Sequence, residues 1–305
     1  MTKLRLTREL LADGYSYDEL ARRTRSGEIQ HVRRGVYDCA EATVLDAAFE
    51  HVRLARATVR IAAPTAVVSH LSAAVLHGLP VLTTSLARVQ LTRADISGGK
   101  NRGGIHLYAT PLASDEVAVV DGIRVTSLAR TIVDVARTLP FEQAVLTGDA
   151  AVRRGLATAA LEACLERSVR RPGMASARRV VRFLDPLSES PGESLSRAAI
   201  RAAMLPPPTL QYEVRDRTGR VIGRSDFCWL EQRTLGEFDG RIKYGRLLKP
   251  GETPSDVMYR EKLREDAFRD LGWQVVRWTW ADLKTPQVIA DRIVRAFARA
   301  APERR

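Results

Sequence analysis

Apolar positions recur along the chain with two periods, and the changes from one to the other mark its elements. Leu4 to Ala12 carries leucines at helical spacing and closes at Gly14. Ser16 caps a second helical run, Tyr17 to Arg25, with Glu19 at the capping-box position and Gly27 after its end. Ile29 to Tyr37 then alternates around a turn at Arg34-Gly35, as two short strands do. A longer amphipathic stretch, Val44 to Ala62, predicts a helix that Pro64 breaks, and Ser69 caps the helix His70 to His77. Strand-like pieces follow at Arg88–Thr92 and Ile105–Tyr108, separated by the Gly-rich stretch Ser97–Gly104. That stretch is not a P-loop, because no G-x-x-x-x-G-K-[ST] leads into a helix; a mobile hairpin tip is expected, with Lys100 and Arg102 as candidate phosphate contacts.

Val117 to Val125 alternates around Asp121-Gly122, the signature of a tight hairpin. Helical patterns follow through Leu139, over about 141–153 and 156–170, and from Ala175 to Leu184. Pro186 to Gly192 reads as a linker. Beyond it, Ser190, Pro191 and Glu193 form a helix start, and Pro206-Pro207-Pro208 ends that helical region. Ser225 to Leu230 reads as a strand, Glu231 to Thr234 as a turn, and the residues up to Gly240 as the returning strand. Tyr259 to Leu271 has helical periodicity with Gly272 as C-cap, and Trp273 to Trp280 alternates as a strand. The predicted domains are residues 1–43, a middle region 44–185, and residues 190–300.

The richest chemistry lies in Ser225–Lys243. Glu237 and Asp239 are two apart on a strand and share a face, and pairing as a hairpin brings Asp226 onto it. Clustered carboxylates repel, and a divalent cation is the usual reason for such a cluster. Two bland readings stand beside this one: a solvated hairpin face for the trio, and a helix cap for Glu193.

The residues carry two resemblances. Gly14-Tyr15-Ser16-Tyr17-Asp18-Glu19-Leu20, Gly27-Glu28-Ile29 and Val32-Arg33-Arg34-Gly35-Val36-Tyr37 resemble the N-terminal domain of AbiEi-type antitoxins, as does Val68 through Pro80. This implies a winged helix-turn-helix that binds DNA as a repressor, with Arg22, Arg23 and Arg25 on its second helix and Arg33 and Arg34 in the wing. Residues of about 188–297 resemble the PD-(D/E)XK nuclease superfamily, in the branch similar to very-short-patch-repair endonucleases. There Glu193 matches the first-helix glutamate, Asp226 the second-motif aspartate, and Glu237-Phe238-Asp239-Gly240 the E-x-D-G form. The chain departs from the family pattern where Asp239 replaces the E-x-K lysine and where Lys243 stands in place of a histidine.

The fold class expected is thus a multidomain α+β and α/β protein: an N-terminal winged helix-turn-helix, an α+β middle region and a C-terminal restriction-endonuclease-like fold. The nuclease resemblance implies Mg2+ or Mn2+ held by Asp226, Glu237, the Phe238 carbonyl and Asp239. Glu193 would orient the site, and Lys243 or Arg241 would steady the phosphate. The function implied is a metal-dependent DNA endonuclease in a defence or toxin–antitoxin context. The alternative is a non-catalytic AbiEi-like transcriptional regulator with a degenerate nuclease fold.

Composition narrows this modestly. A net charge of +12 favours an anionic partner such as DNA. Three cysteines, far apart, and five histidines without metalloprotease spacing argue against a zinc site or a disulfide framework. No apolar run approaches a membrane span, and residues 1–10 have no apolar signal core, so a cytoplasmic location is expected. Sequence leaves a toxin partner or homodimer open.

Overall fold

The computed structural model describes residues 3–40, 46–82, 86–240 and 254–300. The protein is of mixed α/β architecture. In chain order the elements are β1 (Leu4–Leu6), α1 (Thr7–Ala12), α2 (Tyr17–Arg25), β2 (Gln30–Arg33), β3 (Val36–Asp38), α3 (Ala47–Ile61), β4 (Val67–Val68) and α4 (His70–Leu76). There follow β5 (Val89–Arg93), β6 (Lys100–Arg102), β7 (Ile105–Ala109), β8 (Val117–Val120), β9 (Ile123–Thr126), α5 (Leu128–Thr138), α6 (Phe141–Arg153), α7 (Thr158–Arg167) and α8 (Met174–Val181). The last are α9 (Pro191–Ala202), β10 (Thr209–Arg215), β11 (Val221–Trp229), β12 (Thr234–Asp239), α10 (Pro254–Asp270), β13 (Gln274–Thr279) and α11 (Pro286–Ala300). Among the described residues no helix is long and apolar enough to cross a membrane.

The chain divides into two compact units, Met1–Leu139 with Leu156–Arg182 and Pro140–Gly155 with Phe183–Arg305. Helix α6, which sequence alone groups with the middle region, therefore belongs to the second unit, where it packs on α9.

The first unit holds two sheets. The smaller has the order β1-β3-β2, and the larger β6-β7-β5-β4-β9-β8. Leu4–Leu6 was expected to begin a helix and is instead a strand. It pairs with β3, Leu4 opposite Asp38 and Leu6 opposite Val36, so tertiary pairing overrides a short helical pattern. The Asp121-Gly122 hairpin forms as read, with both turn residues at positive φ (48° and 76°) as its tight turn requires. The larger sheet's core gathers Ala55 of α3, Ala73 of α4, and Val68, Leu91 and Val125 of the strands.

A buried ion network ties α5 into this unit. Arg130 is fully buried; its Nε donates to Asp134 at 2.7 Å and its Nη1 to Glu116 at 2.9 Å. Asp134, equally buried, also accepts from Arg137 Nε at 2.8 Å. Arg137 Nη2 donates to His70 Nε2 at 2.8 Å, so that ring nitrogen is an acceptor and the imidazole is neutral. Burial pushes the His70 pKa down to about 3.

In the second unit the sheet order is β10-β11-β12-β13, antiparallel except for the parallel pair β12–β13 that α10 connects. One face carries Phe227, Trp229, Phe238 and Trp278, packed with Ile200 of α9 and Ile289 and Ile293 of α11. The other carries Val214, Cys228, Leu235 and Trp273 against Phe268 of α10. Alternation along β11 and β12 therefore turns Asp226 and Glu237 toward the α10 face. Gly192 in the first turn of α9 lies so close to Phe238 that an added Cβ would stand 1.9 Å from its ring.

Candidate nucleic-acid interface and carboxylate face

Helix α2 is held by its cap and one leucine. Ser16 Oγ accepts from the Glu19 amide at 3.1 Å, and Leu20 is buried against Leu10 and Ile29. The opposite stripe, Tyr17, Asp18, Ala21, Arg22 and Arg25, faces solvent. Tyr17 is 69% exposed, a large aromatic surface with no packing role. After Gly27 the chain enters β2 and returns in β3 through Arg34 and Gly35, the glycine at φ +83°.

The five arginines named from sequence divide into two groups. Arg22, Arg25 and Arg34 project into solvent. Arg23 is engaged locally: its guanidinium donates to Glu19 at 2.8 Å and lies over the Tyr15 ring at 4.9 Å. Arg33 is engaged with the chain at Gly103 and Gly104, its Nη2 donating to both carbonyls, each at 3.2 Å. Burial lowers the Arg33 pKa.

On the second unit, the β11–β12 register pairs Phe227 with Gly236, so the next position outward sets Asp226 opposite Glu237. Asp226 Oδ2 accepts from the Phe238 amide at 2.8 Å. Glu237 is almost wholly buried and meets two arginines. Arg277 Nη2 lies 2.8 Å from Oε2, and Arg264 Nη2 lies 2.9 Å from Oε1 and 3.1 Å from Oε2. Only the approach to Oε2 is directed as a hydrogen bond; Oε1 keeps the charge contact without one. Both arginines reach further carboxylates: Arg264 to Glu261 at 2.8 Å, and Arg277 to Glu265 at 3.3 Å and Glu261 at 3.4 Å. Burial raises the Glu237 pKa against the pull of Arg264 and Arg277. Burial works to lower the Arg277 pKa, but Glu237, Glu265, Glu261 and Asp239 raise it overall.

Sequence reasoning passed over the roles of Arg264 and Arg277. Arg277 is the parallel-strand partner of Glu237, and Arg264 reaches in from α10. No local pattern displays a parallel register between strands so far apart in the chain.

Glu193 takes the helix-cap role. Its carboxylate accepts from Ser190 Oγ at 2.6 Å, the Glu189 amide at 2.8 Å and Gln211 Nε2 at 2.8 Å, while Ser190 Oγ accepts from the Glu193 amide at 3.2 Å. Arg241 and Lys243 lie outside the described residues.

A magnesium or manganese ion needs several oxygen ligands with lone pairs directed at it. Among the described residues no group of three or more His, Cys, Asp and Glu side chains is arranged to hold a metal. Glu237 turns toward two guanidinium groups, and one Asp226 oxygen is taken by an amide. In this arrangement the donor set does not fit a divalent cation. What it builds is an alternating lattice of glutamates and arginines that fastens α10 to β12 and β13.

No family model matches the chain. It is 32% identical over 183 residues to "Uncharacterized protein MT2308" and "Uncharacterized protein Rv2248", from Mycobacterium tuberculosis strains CDC 1551 / Oshkosh and ATCC 25618 / H37Rv. The match covers 59% of this chain and 64% of each relative, so the chain spans less than two thirds of their length. The crystal structure of the RV2827C protein from Mycobacterium tuberculosis aligns with 70% of this chain and 83% of its own, at 14% identity and a TM-score of 0.41.

Proposed function

We propose that this protein is a DNA-binding regulator that docks on duplex DNA through a winged helix-turn-helix formed by α1, α2 and the β2–β3 hairpin. The observation that carries this is the two-faced helix α2. Leu20 anchors one side, while Tyr17, Asp18, Ala21, Arg22 and Arg25 are exposed on the other, Arg22 within 3.9 Å of Glu19, with Arg34 at the hairpin tip. A small residue among long basic ones lets a helix approach a groove while its flanks reach phosphates. The excess of positive charge adds a non-specific attraction to the polyanion. An AbiEi-like role in a toxin–antitoxin or defence setting follows from the resemblance of the same residues.

The test is a fluorescence anisotropy titration of a labelled duplex with the full chain. Wild type should bind with affinity falling steeply as salt rises, and Arg22→Glu with Arg25→Glu should bind at least tenfold more weakly. Equal binding by the double variant would overturn this reading.

A second reading, a PD-(D/E)XK endonuclease, draws support from the order α9-β10-β11-β12-α10-β13 and from Asp226 standing opposite Glu237. It requires Glu237 to release Arg264 and Arg277, since only then do Asp226, Glu237, the Phe238 carbonyl and Asp239 become available to Mg2+ or Mn2+. Supercoiled plasmid incubated with the chain and either ion decides it: cleavage lost in Asp226→Ala would establish the endonuclease, and intact plasmid at all ion concentrations would leave the regulator.

A further inference from the structure

The Gly-rich stretch builds a short β-hairpin. Lys100–Arg102 forms an edge strand, β6, paired antiparallel with β7 so that Arg102 faces Ile105. The two residues between, Gly103 and Gly104, have φ of +60° and +72°, the left-handed pair of a tight hairpin turn. All of Lys100 to Gly104 is exposed.

This turn is fastened to the β2–β3 hairpin. Arg33 ends β2, and its Nη2 donates to both the Gly103 and Gly104 carbonyls. The approach is tight enough that a Cβ on Gly104 would lie 3.0 Å from that nitrogen. Arg33 Nη1 is buried without a hydrogen-bond partner, so Nη2 alone makes the hydrogen bonds that join the two turns. The joined turns present Arg34 from one hairpin and Lys100 and Arg102 from the other. No Asp or Glu occurs between Ile96 and Ala113 or between Gln30 and Tyr37, so neither turn carries an acidic residue of its own.

We infer that the β6–β7 hairpin is a second arm of the DNA-binding surface, in which Lys100 and Arg102 contact backbone phosphates beside the wing and Arg33 is the positioning residue that holds the arm there. This rests on the winged-helix reading above and extends the footprint it would leave. The role differs from that of Arg22 and Arg25: phosphate contacts alone add affinity and salt dependence without sequence preference.

The experiment uses the full chain and a fluorescein-labelled duplex of about 30 base pairs of mixed sequence, titrated at several salt concentrations. Each phosphate contact contributes about 0.9 to the slope of log affinity against log salt, so Lys100→Ala with Arg102→Ala should make the slope shallower by about 2. Both side chains are on exposed positions of an edge strand, so the variant should fold as wild type does. Arg33→Ala should lose part of the same slope, and adding the Lys100 and Arg102 changes to it should then cost less than they cost alone. Arg33→Lys, which keeps a donor for the two carbonyls, should recover part of the loss, as a purely structural defect of β2 would not. If Lys100→Ala with Arg102→Ala leaves affinity and slope unchanged while Arg22→Glu with Arg25→Glu abolishes binding, the arm is refuted and the winged helix stands. If neither set of changes alters binding, or wild type does not bind the duplex, the winged-helix reading falls and the arm with it.

Discussion

Replacing Asp134 by alanine should unfold the first unit at a markedly lower temperature. Asp134 accepts from Arg130 at 2.7 Å and from Arg137 at 2.8 Å, and both Asp134 and Arg130 are fully buried. The variant leaves Arg130 with Glu116 as its remaining carboxylate and deprives nearly buried Arg137 of Asp134, so one guanidinium charge is left uncompensated. Removing one member of a buried ion pair costs about 3–5 kcal/mol, far above the fraction of a kcal/mol typical of a surface pair. For a unit of this size each kcal/mol lowers the midpoint by about 2–4 °C, so a shift of about 6–20 °C is expected. Acid should act on the same cluster. Although burial raises the Asp134 pKa, the charges of Arg130 and Arg137 bring it below its ordinary value, so the stability Asp134 contributes is present above that value and lost as pH falls through the folded one. His70 moves in the same sense: its pKa falls from 6.5 to about 3, so stability drains as pH falls from 6.5 toward 3, by at most about 1.4 kcal/mol per pH unit. Far-UV circular dichroism during heating is the assay, because all four tryptophans, Trp229, Trp273, Trp278 and Trp280, lie in the second unit and report on that unit. A midpoint for Asp134→Ala within about 2 °C of wild type would refute the buried-network argument.

Three further outcomes follow from the second unit and the thiols. Gly192→Ala should destabilise that unit by about 1–3 kcal/mol, since its Cβ would collide with the Phe238 ring, and tryptophan fluorescence in urea should show the loss; an unchanged urea midpoint would mean the close approach is absent. Burial raises the Glu237 pKa above 4.5, so its contribution is fully present below that value and fades as pH rises through the folded one. Glu237→Gln should flatten this part of the pH–stability curve, and an identical curve would contradict the placement of that carboxylate. Cys164 and Cys228 are buried, their pKa values pushed up to about 11 and about 12, so a thiol reagent at neutral pH should label Cys39 first in the native protein; labelling of either buried thiol at the Cys39 rate would contradict the core packing.

Much of the local structure is legible in the sequence. Ser16 with Glu19, Gly27, and the Arg34-Gly35 turn foretell α2 and the β2–β3 hairpin, and Asp121-Gly122 foretells β8–β9. What fails to show is what depends on distant pairing. Leu4–Leu6 reads as helix because its partner, β3, lies thirty residues on, at Val36–Asp38. Strand β10 alternates Leu210, Tyr212 and Val214, so the strand signal is there in the sequence just after the proline run. At the carboxylate face the hairpin places Asp226 opposite Glu237 as local alternation implies, but the partners that decide its electrostatics come from α10 and the parallel strand β13. Glu193 is the reverse case. Its capping-box spacing was visible from Ser190, and the cap is the role it fills here.

Hydrogen exchange of the full chain, measured by mass spectrometry with and without duplex DNA, tests the central claim most directly. The regulator reading predicts slowed exchange over Tyr15–Tyr37, strongest in α2 and at the Arg34-Gly35 turn. Protection absent there and concentrated instead on Asp226–Asp239 would contradict it and move the DNA to the carboxylate face.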